Sequence, residues 1–144
     1  MAVTYDKIAY DEIELALRKI ISNEFMNVYI GNDFKMLGTE CIRVNLISSD
    51  SLQQATNFEQ RNYLVNIRYY HIADTNSEMI NKSVKAKIDK LRKHLLDNQV
   101  NTTYNWSALI IDEINYNVQD TENEENDKIH ISELNISIQH HNYF

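Results

Sequence analysis

FEQRNYLVNIRYYHIADTNSEMINKSVKAKIDKLRKHLL, residues 58–96, changes its hydrophobic period partway along. Up to residue 73, Tyr63, Val65, Ile67 and Tyr69 alternate with Asn62, Asn66 and Arg68. That is one buried and one wet face, the pattern of a strand in a mostly antiparallel sheet. Thr75-Asn76-Ser77-Glu78 then fits a capping box, with Thr75 as N-cap and Glu78 folding back. Behind it Ile80, Val84, Ile88, Leu91 and Leu95 recur at helical spacing. A long strand therefore runs into an amphipathic helix over residues 76–96.

Working outward, residues 106–118 read as a strand with Ile110, Ile114, Tyr116 and Val118 in phase, and residues 129–140 as another with Leu134, Ile136 and Ile138 in phase. Ile129 and Ile131 fall on the opposite parity, which predicts a bulge or bend near Ser132 and Glu133. Both strands exceed the common length, so they form a hairpin projecting beyond the sheet, closed by an acidic turn over residues 119–128. Towards the N-terminus, residues 4–23 read as a helix. Its stripe is Ala9, Ile13, Ala16, Leu17 and Ile20, with acidic residues early and Arg18 and Lys19 late, as the helix dipole favours. A short strand follows over residues 26–30, ended by Gly31 and Asn32, then an exposed connection over 32–40. Residues 41–47 form a strand with Ile42, Val44 and Leu46 on one face and Arg43 and Asn45 on the other. Residues 48–57 are polar without a period and read as a flexible loop, and 97–105 as a polar connection. The expected fold is α+β: a mostly antiparallel sheet of about five strands, two helices packed on one face, and a long C-terminal β-hairpin.

A chain of 144 residues fits one domain spanning residues 1–144, with a core that needs no disulfide or metal. No apolar run approaches the roughly 20 residues needed to cross a bilayer, and the first residues lack the basic and apolar segments of a secretory signal. The expected location is the cytosol, at least at first. The sequons at Asn81, Asn101, Asn105 and Asn135 then carry no glycosylation meaning. Cys41 is the only cysteine, which excludes an internal disulfide and a Cys-based zinc site; it reads as a small, partly buried side chain. With no proline and two glycines, Gly31 and Gly38, the chain has no Gly-rich phosphate loop. No cofactor is expected.

No local cluster supplies catalytic chemistry. His140 and His141 are strand neighbours pointing to opposite faces and read as surface residues. His71 ends a strand, and His94, in the last turn of the second helix, is accounted for by the helix dipole. Asp112 and Glu113 also point apart, so they cannot act on one substrate atom unless the strand is bulged there.

Charge is segregated. Lys82, Lys85, Lys87, Lys90, Arg92 and Lys93 stand against Asp89 alone, a local +5 in a chain of −7, which leaves −12 elsewhere. Asp120, Glu122, Glu124, Glu125 and Asp127 concentrate part of that in the hairpin turn. Either these are two solvated surfaces, or basic helices and acidic turns on separate subunits steer one another. Nucleic-acid binding by the lysine face is a further option, opposed by the net charge and by the lack of interleaved aromatic residues. Nine tyrosines, each with a dry and a wet end, also suit subunit interfaces.

The element order carried by residues 5–21, 41–47, 58–73, the capped helix from Thr75, and the pair 106–118 and 129–140 resembles the tail terminator proteins of long-tailed bacteriophages, the lambda-type terminator included. The resemblance implies a non-enzymatic virion protein. It would form a ring, usually of six copies, at the head-proximal end of the tail, bounded by the tail tube protein and a head-completion or connector protein. It also implies that contacts fall on extended hairpin loops and sheet edges, which here means the acidic turn and residues 48–57, Asp50 and Gln53 among them. A head–tail adaptor and a tail tube-like subunit are the neighbouring readings. Membrane is not among the expected partners, and nucleic acid enters only as passing genome.

Overall fold

The computed structural model describes residues 7–73, 78–122 and 128–143. A π-helical segment, Ile8–Glu14, leads into α1 (Leu15–Ser22). Strands β1 (Val28–Ile30), β2 (Glu40–Ala55) and β3 (Phe58–Ala73) follow, then α2 (Glu78–Leu96), β4 (Trp106–Glu122) and β5 (Lys128–Tyr143). They build one five-stranded sheet in the order β1-β2-β3-β5-β4. Only β1–β2 is parallel; β2–β3, β3–β5 and β4–β5 are antiparallel. The α+β class and the element order read from the sequence are those observed.

Both helices cover one face. Ile13, Ala16, Leu17, Ile20 and Ile21 from the first helical unit and Val84, Ile88, Leu91 and Leu95 from α2 meet Ile42, Val44, Val65, Ile67, Leu134, Ile136 and Ile138 of the sheet in one core cluster. The stripe predicted for α2 is the buried one, with Ile80 packed at its margin. Ala9 is exposed, contrary to expectation, because the turns around it are π-helical and rotate it off the stripe. Residues 1–6 and the predicted cap at Thr75 lie outside the described residues.

Four expectations for the strands need correcting, two of them for one physical reason. Residues 48–57 are not a loop: β2 continues to Ala55 and turns through Thr56 and Asn57 into β3. Its pairing skips Ile47 and Leu52, and two bulges destroy the alternation on which the sequence reading relied. In β4 the phase is also different. Pairing skips at Ser107 and Asp112 and again between Asn115 and Gln119, so Trp106 and Leu109 are buried, Ile111 and Ile114 pack on the core, and Ile110 and Tyr116 are exposed. β5 has no bulge against β3, where the register runs unbroken from Phe58↔Tyr143 to Ala73↔Lys128; the irregularity expected near Ser132 and Glu133 lies only on the β4 side, where pairing passes from Glu133 to Ile131 over Ser132. Ile129 and Ile131 change parity because they serve a second, smaller cluster on the helix-free face, with Cys41 and Tyr70. Lastly, β3 accompanies β5 to its first residue, so within the described residues the β4–β5 hairpin ends level with β3 and does not project past it.

The helix-free face is less wet than alternation implied. Arg43 is only 6% exposed; it donates from Nη1 to the Asn32 carbonyl at 3.1 Å and from Nη2 to Asn66 Oδ1. Asn66 Nδ2 in turn donates to Asn135 Oδ1 at 2.9 Å, and Arg68 pairs with Glu133 at 2.9 Å. These cross-strand bonds hold three strands in register where no helix covers them.

Candidate interaction surface

α2 sorts its cations by side. Those turned towards α1 and β2 are already occupied. Lys87 Nζ lies 3.5 Å from Glu40, and Lys90 Nζ lies 3.4 Å from Glu24 and 5.0 Å over the Phe25 ring. Lys93 pairs with Asp97 one turn on. Lys82, Lys85 and Arg92 are exposed and have no acidic partner among the described residues. The predicted basic face is therefore split, with half of it bound within the chain.

Arg92 opens onto a groove of about 500 Å³ between α2 and β4, bordered by Leu96, Ile110, Asp112, Glu113 and Ile114. Asp112 is the residue left out of the ladder between Ile111 and Glu113, and it accepts a hydrogen bond from the Ser137 hydroxyl. The bulge turns Asp112 and Glu113 towards one groove, the exception that alternation allowed for. The groove is an open surface trough with no histidine along it.

Beyond Trp106, which a two-bond bridge ties to Asn101, the outer edge of β4 is unpaired among the described residues, since within the sheet β4 bonds only to β5. At the opposite margin β1 covers β2 only at Ile42, Arg43 and Val44, so past Leu46 residues 47–55 also have one free side. Here the Glu14 carboxylate accepts a backbone hydrogen bond from Leu46, which lowers its pKa less than burial raises it. Each free edge carries exposed apolar side chains: Ile110 and Tyr116 on β4, Ile47 and Leu52 on β2.

The remaining predicted contact residues fall as follows. Asp50 and Gln53 are on β2, paired in register with Asn62 and Gln60, rather than on a loop. Asp120 and Glu122 are on β4, opposite His130 and Lys128. Glu124, Glu125 and Asp127 lie outside the described residues.

Two histidines have roles that sequence spacing did not reveal. His140 is buried rather than on the surface, with Nε2 2.7 Å from Glu12, which also accepts from Asn105 Nδ2 at 3.0 Å. Burial lowers its pKa against the opposing pull of Glu12. His94 Nε2 sits 2.6 Å from the Ile20 carbonyl and ties α2 to α1, a contact beyond the dipole. His71 lies opposite His130 and beside Tyr69, whose hydroxyl donates to Glu40 at 2.8 Å; burial lowers the His71 pKa and raises that of Tyr69. Apart from the Tyr69–His71 contact along one strand, these contacts have no signal in the local sequence, because they join residues far apart in the chain.

Among the described residues no group of three or more His, Cys, Asp or Glu side chains is placed to hold a metal ion, and no helix is long and apolar enough to cross a membrane. No family model matches the chain, and no curated protein matches it. Among solved structures the chain is similar to one from the virion of a native gene transfer agent (GTA) particle. Identity is 13%, the match covers 92% of this chain and 91% of the other, and the TM-score is 0.49. A likeness at that distance decides nothing about the role of this chain.

Proposed function

We propose that this chain is a non-enzymatic virion structural protein of a long-tailed phage or phage-like particle, a single domain over residues 1–144 that assembles with copies of itself. In this reading it forms a ring, of six copies, at the head-proximal end of the tail. One face of the ring stops further growth of the tube and the other receives the head-side connector. The action is stoichiometric: sheet edges and hairpins mate with neighbours, and no bond is made or broken.

The observation that carries the reading is the pair of open edges on one sheet, the outer side of β4 beyond Trp106 and residues 47–55 of β2. An unpaired edge with exposed apolar side chains is a template for another strand. Two different edges on opposite margins favour a head-to-tail contact, which closes into a ring when the rotation between copies allows. The resemblance in element order to tail terminators supports the position on the tail. The unpaired Lys82, Lys85 and Arg92 and the acidic turn would steer the copies together.

Light scattering on the purified protein, followed by negative-stain microscopy, tests this. Closed rings that bind the ends of tail tubes are expected. Long stacks would assign a tube-like subunit instead. A strict monomer that fails to bind tail tubes would refute the reading. Steeply salt-dependent DNA binding, lost on replacing Lys82, Lys85 and Arg92, would point to the nucleic-acid alternative.

A further inference from the structure

The only two glycines of the chain bracket one segment. Gly31 (φ 145°) and Gly38 (φ 71°) stand at the ends of an irregular stretch, residues 31–38, that lies over the second cluster on the helix-free face. Both adopt left-handed backbone that a side chain resists. At Gly38 a Cβ would also meet Asn27 Nδ2 at 2.9 Å.

The stretch is held down by side chains. Met36 and Leu37 pack on Cys41, Tyr70, Ile129 and Ile131 but remain partly exposed. Phe34 meets Tyr70 edge-on at 5.1 Å while staying 53% exposed. The Tyr29 hydroxyl accepts from Lys35 N–H at 2.9 Å and donates to the Asp33 carbonyl at 3.3 Å, and Arg43 donates to the Asn32 carbonyl. Backbone bonds to the sheet occur only at its margins, from Gly31 N–H to Val44 and from Ile72 N–H to Thr39. Arg43 Nε, buried beside the stretch, has no hydrogen-bond partner among the described residues. A cover that leaves a buried polar atom unpaired is destabilised by it. Opening gives up partly buried apolar contacts and the side-chain hydrogen bonds from Tyr29, Arg43 and Cys41, whose freed groups water can satisfy.

We propose that residues 31–38 are a strap hinged at Gly31 and Gly38. It opens over the helix-free face without unfolding the sheet and uncovers Cys41 and Tyr70. This does not depend on the assembly reading.

Cys41 is the sole thiol, fully buried, and its pKa is raised by that burial, so it reports opening directly. The test is its rate of reaction with a dithiobisnitrobenzoate reagent in increasing urea, with the single Trp106 reporting global unfolding. The strap predicts a rate that changes little at low urea and exceeds what global unfolding permits. Phe34→Ala, which removes the outer clamp, should raise it about tenfold. A rate with the full urea dependence of global unfolding overturns the strap. So does local labelling that Phe34→Ala leaves unchanged, because the opening would then lie elsewhere.

Discussion

Ile110 gives the sharpest test of the free edge. It sits on the outer strand β4, 45% exposed, beside the groove that Arg92, Leu96 and Ile114 border. Fully burying an isoleucine side chain is worth roughly 1.5–3 kcal/mol, so covering the exposed 45% is worth about 1 kcal/mol. In Ile110→Lys that gain disappears, and an ammonium must be desolvated near Arg92, which adds about 1–2 kcal/mol. The sum, about 2–3 kcal/mol for each contact, weakens association about thirty- to hundredfold, since 1.4 kcal/mol is a factor of ten. The folded subunit should change by no more than about 0.5 kcal/mol, because an exposed edge position tolerates lysine. Val100→Lys is the control: Val100 is 67% exposed but lies off the sheet edge. Light scattering across a dilution series gives the association midpoint, and urea unfolding gives the subunit stability. A midpoint unchanged within about twofold in Ile110→Lys, with stability also unchanged, would refute the use of this edge.

Four further outcomes follow from the packing and the charge pairing. His71 and His140 have pKa values lowered below 6.5 by burial. The unfolded chain therefore binds more protons than the folded one just below that pH, and stability is full above about pH 6.5 and declines as pH falls towards the lowered values. Urea midpoints at about pH 7.5 and about pH 5.5 should differ in that direction, and His140→Asn should shrink the difference. Trp106→Phe removes the donation from Nε1 to the Asn98 carbonyl at 2.9 Å and should cost about 1–3 kcal/mol, read by circular dichroism because the only tryptophan is gone. Lys90→Ala loses an exposed pair with Glu24 and the Phe25 ring contact and should cost at most about 1 kcal/mol. Lys82→Ala should leave stability within about 0.5 kcal/mol in the same urea titration, since Lys82 is exposed and has no acidic partner among the described residues.

Where alternation was regular it was read correctly. Tyr63, Val65, Ile67 and Tyr69 face the core as their spacing implied, and so do Val84, Ile88, Leu91 and Leu95. The reading failed where β2 and β4 insert unpaired residues. Ile47 and Leu52 broke the period enough to look like a loop, and Asp112 shifted the phase of everything before it in β4. The candidate surface was legible only as charge. Which of the six α2 cations remain unpaired depends on Glu24, Glu40 and Asp97, two of them distant in sequence. The open edges could not be read at all, because strand order is not a local property.

The sequence by itself determined the element order, the α+β class and the lack of any local catalytic motif. These follow from hydrophobic period, capping residues and composition, all encoded within a turn or two of chain. Only the tertiary structure decided that β5 lies between β3 and β4, leaving β4 and the far half of β2 as free edges. It also buried Arg43 and His140 and laid the one glycine-bounded segment over Cys41. Each of those results joins residues many positions apart. The free energy that selects them comes from packing and desolvation across the sheet, which no local period records.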